Sequence, residues 1–279
     1  VKKTTASSTS SPKSVLVTGG SSGIGLSIAK HLSEKGYVVF GTSRKAENGQ
    51  KLENFTLVNM DVTSEDSISQ ALDYILKENG PIDVLVNNAG LGIAGPLENT
   101  TDEEAKKVFE TNVFGVLNVC RACIPILRDN GGGNIINITS IGGMVGLPFR
   151  GIYCSSKFAV EGITETLSME VRAFNIHVSI IEPGDFKTNI NENRLISKDI
   201  DSLSYDGTFD RALNQINSEV AGARNPIHIA RQVHRIIQSK YPRLRYRVAT
   251  PTQRLSVFLK RIMPGRLFEK MLMKHYHLD

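Results

Sequence analysis

The sequence predicts an α/β protein: a single domain with a doubly wound, mostly parallel sheet, a C-terminal lid and a basic amphipathic tail. Short β-branched runs alternate with helical stretches from Ser14 to about residue 190, which implies parallel strands joined by crossover helices. The runs are continuously hydrophobic rather than alternating, as strands buried on both faces must be. A glycine-rich turn joins the first run to the first helix.

Residues 1–13 are mostly Ser, Thr and Lys and offer too little apolar surface to offset ordering entropy, so a disordered arm is expected. Val15-Leu16-Val17 then leads into a helix over 24–35, and Val38-Val39-Phe40 into an insertion. Thr56-Leu57-Val58 precedes a helix over 65–78, and Val84-Leu85-Val86 one over about 102–128. Ile135-Ile136-Asn137-Ile138 precedes a helix over about 152–173, and Val178-Ser179-Ile180-Ile181 closes the series. No repeat or linker interrupts residues 14–190, so 14–279 reads as one domain. Over 187–225 the β pattern stops in a polar stretch too long for a plain loop, which is expected to be a partly helical lid.

Residues 226–279 form a basic extension with 12 Lys and Arg against 2 Asp and Glu. In it Leu255, Phe258, Leu259 and Ile262, then Leu267, Met271 and Leu272, recur near helical spacing among Lys260, Arg261, Arg266, Lys270 and Lys274, with Pro264-Gly265 as a break. Such a helix can lie on an anionic membrane surface or pack beside the substrate pocket. Nucleic acid is not expected, because the basic residues interleave with aliphatic ones and no binding module accompanies them.

The 279 residues are 40% hydrophobic with a net charge of +5, which excludes collagen, coiled coil and wholesale disorder. The longest apolar runs fall short of the roughly 18–20 residues that cross a bilayer. Three cysteines fit a reducing compartment, so a cytoplasmic location, peripheral to a membrane if the tail docks there, is expected. Cys120 and Cys123 lie mid-helix rather than at a helix N-terminus, so they read as small buried hydrophobes. No His or Cys set, His275 and His277 included, has metal-ligand spacing, so no metal is expected.

In Thr18-Gly19-Gly20-Ser21-Ser22-Gly23-Ile24-Gly25 the glycines permit a sharp turn and close approach to a pyrophosphate, whose charge meets the positive end of the helix. This Gly-x3-Gly-x-Gly spacing resembles that of the short-chain dehydrogenase/reductase family. Asn87-Asn88-Ala89-Gly90 is similar to that family's NNAG, and Tyr153-Cys154-Ser155-Ser156-Lys157 to its Tyr-x3-Lys. Asn112, Ser140 and Pro183-Gly184 follow in its order, so the likeness covers about 14–190.

The resemblance implies a Rossmann-like fold and a nicotinamide cofactor. The glycine turn, including Ser21, Ser22 and Ile24, would hold the pyrophosphate. Asp61 and Val62 would meet the adenine, with Asn88, Ala89 and Gly90 lining the groove. Pro183, Gly184, Phe186 and Thr188 would meet the nicotinamide. Ser43-Arg44 stands after the second strand where an acid would select NAD(H), and a hydroxyl plus a guanidinium suits a 2′-phosphate, so NADP(H) is favoured, NAD(H) remaining open. Ser22 departs from this, standing where many NADP-preferring relatives carry Arg or Lys.

Carbonyl reduction needs an acid for the oxygen and donors that fix it. Tyr153 and Lys157 are four residues apart on one helix face. By resemblance Tyr153 is the general acid/base, Lys157 lowers its pKa and binds the nicotinamide ribose, Ser140 binds the substrate oxygen, and Asn112 supports a proton-relay water. The pocket segments Leu91-Gly92-Ile93-Ala94, Ile141–Phe149 and Phe186 are mostly apolar, with Arg150 the one fixed charge nearby, so a lipophilic ketone or aldehyde is expected. Glu182-Pro183-Gly184 and the basic extension are loosely similar to the hydroxysteroid and retinol dehydrogenase branch. The family's habit of pairing through helices equivalent to 102–128 and 152–173 implies a homodimer or homotetramer. The alternatives are an NAD-dependent alcohol dehydrogenase of the same family and a non-catalytic NADP(H)-binding sensor.

Overall fold

The computed structural model describes residues 12–187, 194–197, 205 and 207–278. Most of the expected arm therefore lies outside the described residues, as do parts of the expected lid.

The fully buried runs become neighbouring strands. β1 (Ser14–Val17) pairs in parallel with β2 (Val38–Ser43) on one side and β5 (Val84–Asn87) on the other. Beyond β2 lies β4 (Phe55–Asn59), and beyond β5 come β7 (Gly133–Ile138) and β8 (Ile176–Pro183), all parallel. With edge strands β3 (Gln50–Leu52) and β10 (Arg245–Val248), the order across the sheet is β10-β8-β7-β5-β1-β2-β4-β3. Strand order reverses between β1 and β5, which opens a crevice at their C-terminal ends, where doubly wound sheets bind ligands.

Helices cover both faces. α2 (Glu65–Asn79), α4 (Gly115–Asp129) and α5 (Gly151–Glu170) bury Ile68, Val119 and Val160 in one core. On the other face α1 (Gly23–Glu34) packs with α7 (Ile227–Gln238), Ile28 and Leu32 meeting the core that holds Ile229 and Val233. A small parallel pair, β6 (Ile93–Ala94) with β9 (Leu195–Ile196), lies apart from the main sheet.

Three details depart from the sequence expectation. The insertion after β2 contains β3, an antiparallel edge strand that is mostly exposed and so carries no hydrophobic run. The helix expected over 102–128 is α3 (Asp102–Phe109) and α4 with a π turn at Glu110–Phe114 between them. β10 reads as charged because its arginines meet buried acids. Arg247 bonds Glu182 at 2.7 Å, and Arg245 reaches Glu161 at 3.0 Å. The segment expected as lid contains α6 (Thr208–Ala221). The basic tail forms α8 (Pro251–Ile262) and α9 (Gly265–His275), divided at Pro264 as expected.

Candidate active site

The crevice between β1 and β5 is locked by Thr18 and Asn88. Thr18 Oγ1 accepts from the Asn88 and Ala89 amides at 2.9 and 3.0 Å. Asn88 Nδ2 donates to the carbonyls of Thr18 at 2.9 Å and Gly19 at 3.2 Å. Gly19 adopts φ +65°, which favours glycine, and a Cβ on Gly25 would stand 2.2 Å from the Gly19 carbonyl oxygen. Ser22 begins α1 without capping it through its side chain, so first-turn amides face the groove. This cradle, which a Cβ would fill, fits a pyrophosphate. Gly23 and Ile24 complete the turn.

At one end the groove is walled by Ser21, Ser43, Arg44, Asp61 and Val62. Lys45 joins them as a second cation after β2, one residue beyond the Ser43-Arg44 pair legible in the sequence. Asp61 Oδ1 accepts from the Thr63 amide at 3.0 Å and hydroxyl at 2.8 Å, while Ser64 caps α2, so Asp61 is not that helix's N-cap.

At the other end stand the catalytic candidates. Tyr153 and Lys157 project from the first turns of α5, and Ser140 follows β7 as the cap of a short turn. Buried Asn112 sits in the π turn, its Oδ1 accepting from Leu91 N at 2.7 Å and its Nδ2 donating to Leu91 O at 2.9 Å and Ser156 Oγ at 3.0 Å. Such turns concentrate at functional sites. Lys157 Nζ donates to Ile138 O at 3.2 Å, and a Cβ on Gly90 would lie 3.4 Å from Asn112 Oδ1 and 3.6 Å from Lys157 Nζ. The structure thus gathers Asn112, Ser140, Tyr153, Lys157 and Gly90 at one place.

Burial pushes the Tyr153 phenol above its ordinary range, with Ser140 pulling the other way. The Lys157 ammonium lies over the Tyr153 ring, 5.9 Å from its centroid, and burial pushes Lys157 down to about 8.

The groove opens past Tyr153 into a cleft walled by Ile24, Ile93, Ser140, Phe186 and Val220, with Pro183 and Gly184 at its base. The expected lining by Ile141–Phe149 is corrected. Ile141, Met144, Val145 and Leu147 instead pack against α8 and α9, because Val257 and Phe268 supply a larger apolar partner. Arg150 does line the cleft but is not the one charge there. Asp185 and Arg194 join it. Asp185, three residues beyond Glu182 in an expected strand-ending turn, gave a signal only by its position. Thr188 lies outside the described residues. Cys120 and Cys123 are buried with thiols pushed upward by burial, as expected of packing residues. Among the described residues no group of His, Cys, Asp and Glu could hold a metal.

The short chain dehydrogenase family profile matches residues 13–198. The chain is a short-chain dehydrogenase. This dehydrogenase is 41% identical over 267 residues to 3-ketodihydrosphingosine reductase of Bacteroides thetaiotaomicron, covering 95% of this chain and 98% of that one. Human retinol dehydrogenase 8 is 34% identical, with 84% of this chain and 80% of its own covered. A short-chain dehydrogenase from Streptomyces avermitilis superposes with a TM-score of 0.78 at 29% identity, over 96% of this chain and 97% of that one. The dehydrogenase is therefore an oxidoreductase of CH–OH and carbonyl groups that uses NAD(P). No helix among the described residues is long and apolar enough to cross a membrane.

Lys157 makes stability depend on pH. Its ordinary value is 10.5, so below about 8 the ammonium is charged in folded and unfolded chains alike and its burial opposes folding in full. Between about 8 and 10.5 the folded chain loses the proton first, so stability rises with pH. Urea unfolding of cofactor-free protein should show the advantage of Lys157→Met over wild type shrinking by roughly 2–3 kcal/mol across this window. A constant difference would refute it.

Proposed function

We propose that this dehydrogenase is an NADP(H)-dependent reductase of a lipophilic ketone or aldehyde. The observation that carries the reading is the meeting of Ser140, Tyr153, Lys157 and Asn112 where the glycine-turn groove opens into a cleft. The nicotinamide, when bound, supplies the hydride. Gly19, Ser22, Gly23 and Gly25 would hold its pyrophosphate, Ser43, Arg44 and Lys45 the adenosine 2′-phosphate, and Lys157 the nicotinamide ribose. Tyr153 donates its phenolic proton to the carbonyl oxygen, Ser140 donates a hydrogen bond to the same oxygen, and both stabilise the charge that develops there. Asn112 fixes the Leu91 backbone beside Lys157. The apolar side chains of the cleft, Ile24, Ile93, Phe186 and Val220, and the likeness to the Bacteroides 3-ketodihydrosphingosine reductase support a long-chain ketone. The segment around α6 would act as the lid, and a homo-oligomer through α4 and α5 belongs to the same reading.

Two measurements test it. Tyr153→Phe should lower ketone reduction by at least about a thousandfold while NADPH affinity, read by calorimetry, stays within about twofold; unchanged turnover would remove Tyr153 from the mechanism. Wild type should bind NADPH at least about tenfold tighter than NADH, a difference of about 1.4 kcal/mol that Arg44→Leu abolishes. Tighter NADH binding by wild type would overturn the cofactor assignment.

A specific observation also favours docking on an anionic bilayer. α8 and α9 bury Val257 and Phe268 against the body, yet Leu255, Phe258, Ile262 and Leu267 are 53–61% exposed. The first three fall on one helix face, flanked by Arg254 and Arg261. The protein should sediment with phosphatidylglycerol-containing vesicles, less with phosphatidylcholine alone, and Phe258→Ser with Ile262→Ser should cut the bound fraction several-fold. Protein left in the supernatant with both vesicles would refute docking.

A further inference from the structure

The C-terminal extension reaches the cleft at two points. Thr250 caps α8, and its amide donates to Gln253 Oε1 at 3.1 Å, which fixes the orientation of the Gln253 amide. Gln253 Nε2 therefore faces outward and donates to Asp185 Oδ2 at 2.5 Å. A Cβ on Gly184 would stand 2.0 Å from Gln253 Oε1, so only glycine admits this contact. At the second point Arg150 Nη2 donates to the Tyr276 hydroxyl at 2.5 Å.

These contacts treat the two charges differently. Arg150 gives one donor, Nη2, to the Tyr276 hydroxyl, while its Nε is buried without a hydrogen-bond partner among the described residues. Asp185 keeps one carboxylate oxygen, Oδ1, without a hydrogen bond or ion pair among the described residues, although its carboxyl is largely buried in the cleft wall near Tyr153 and Ser140. Arg150 and Arg194 oppose and Glu219 reinforces the effect of burial, which raises the Asp185 pKa. An acceptor held at a fixed angle beside the reacting centre, and left open, is an incomplete hydrogen-bond arrangement that a ligand can complete.

We propose that Asp185 Oδ1 is a specificity subsite that accepts a hydrogen bond from an amino or hydroxyl group next to the substrate's carbonyl. The inference rests on the carbonyl site proposed above. Gln253 is the positioning residue, and the substrate class is a polar-headed ketone whose remainder is apolar. A head group that carries only acceptors, such as a second carbonyl, cannot complete this contact.

Binding tests this without turnover, since NADPH cannot oxidise an alcohol. Protein saturated with NADPH is titrated by calorimetry with dodecan-3-ol, 2-aminododecan-3-ol and dodecane-2,3-diol. At least one donor-bearing alcohol should bind about tenfold or more tighter than dodecan-3-ol, and the better of the two identifies the donor. In Asp185→Asn the amide oxygen takes the bond from Gln253 Nε2 and an NH2 group faces the cleft, so the amino alcohol's advantage should collapse, whereas the diol's hydroxyl can still accept from that NH2 and lose less. Equal binding of the three alcohols by wild type, or an amino-alcohol advantage unchanged in Asp185→Asn with its melting temperature preserved, would overturn the subsite. Protein that reduces no ketone yet shows these ratios would sink the reductase reading and leave the subsite standing.

Discussion

The Thr18–Asn88 latch is the joint on which the groove depends. Two parallel strands that part company in the chain must stay together at their C-terminal ends, and four hydrogen bonds between their loops achieve this. Because Asn88 spends its amide on the Thr18 and Gly19 carbonyls, the glycine turn is held open rather than folded onto α1. Gly25 is then pressed so close that no side chain fits, and the helix amides point into the crevice. The anion-binding end, the Asn112 turn and the Lys157 ammonium all take their positions from this junction.

The strands of the central sheet were legible because burial on both faces leaves an unbroken apolar run, as in Val84-Leu85-Val86. The glycine turn, Asn88, Ser140 and the Tyr153–Lys157 pair were legible because their spacing is local and tied to strand and helix ends. What escaped depends on partners distant in sequence. β10 looks like a charged loop until Arg245 and Arg247 meet Glu161 and Glu182. Asp185 and Arg194 became pocket residues only when the chain after β8 came to lie opposite Ser140 and Tyr153, more than thirty residues earlier in the sequence. The apolar lining expected from Ile141 to Phe149 failed for the same reason, since the tail offered those residues a better place to be buried.

One side of α8 and α9 is core, continuous with the turn after Ser140, and the other side stays uncovered and basic. The Tyr153 environment shows a parallel division of labour. The chain alone buries the phenol and raises its pKa, and supplies Ser140 as the counterweight. Burial therefore favours the neutral phenol over the phenolate.

The keying of Gln253 into the space above Gly184 makes this architecture modular. The sheet and its glycine turn form one unit, whereas the cleft residues Asp185 and Arg150 are braced from behind by a separate stretch of chain that plugs in through one glycine and one capping motif. Selection can exchange that plug, lengthen it or repaint its outer surface without disturbing the machinery beneath, so diversification of substrate range in such a lineage should be written in the last thirty residues far more than in the sheet.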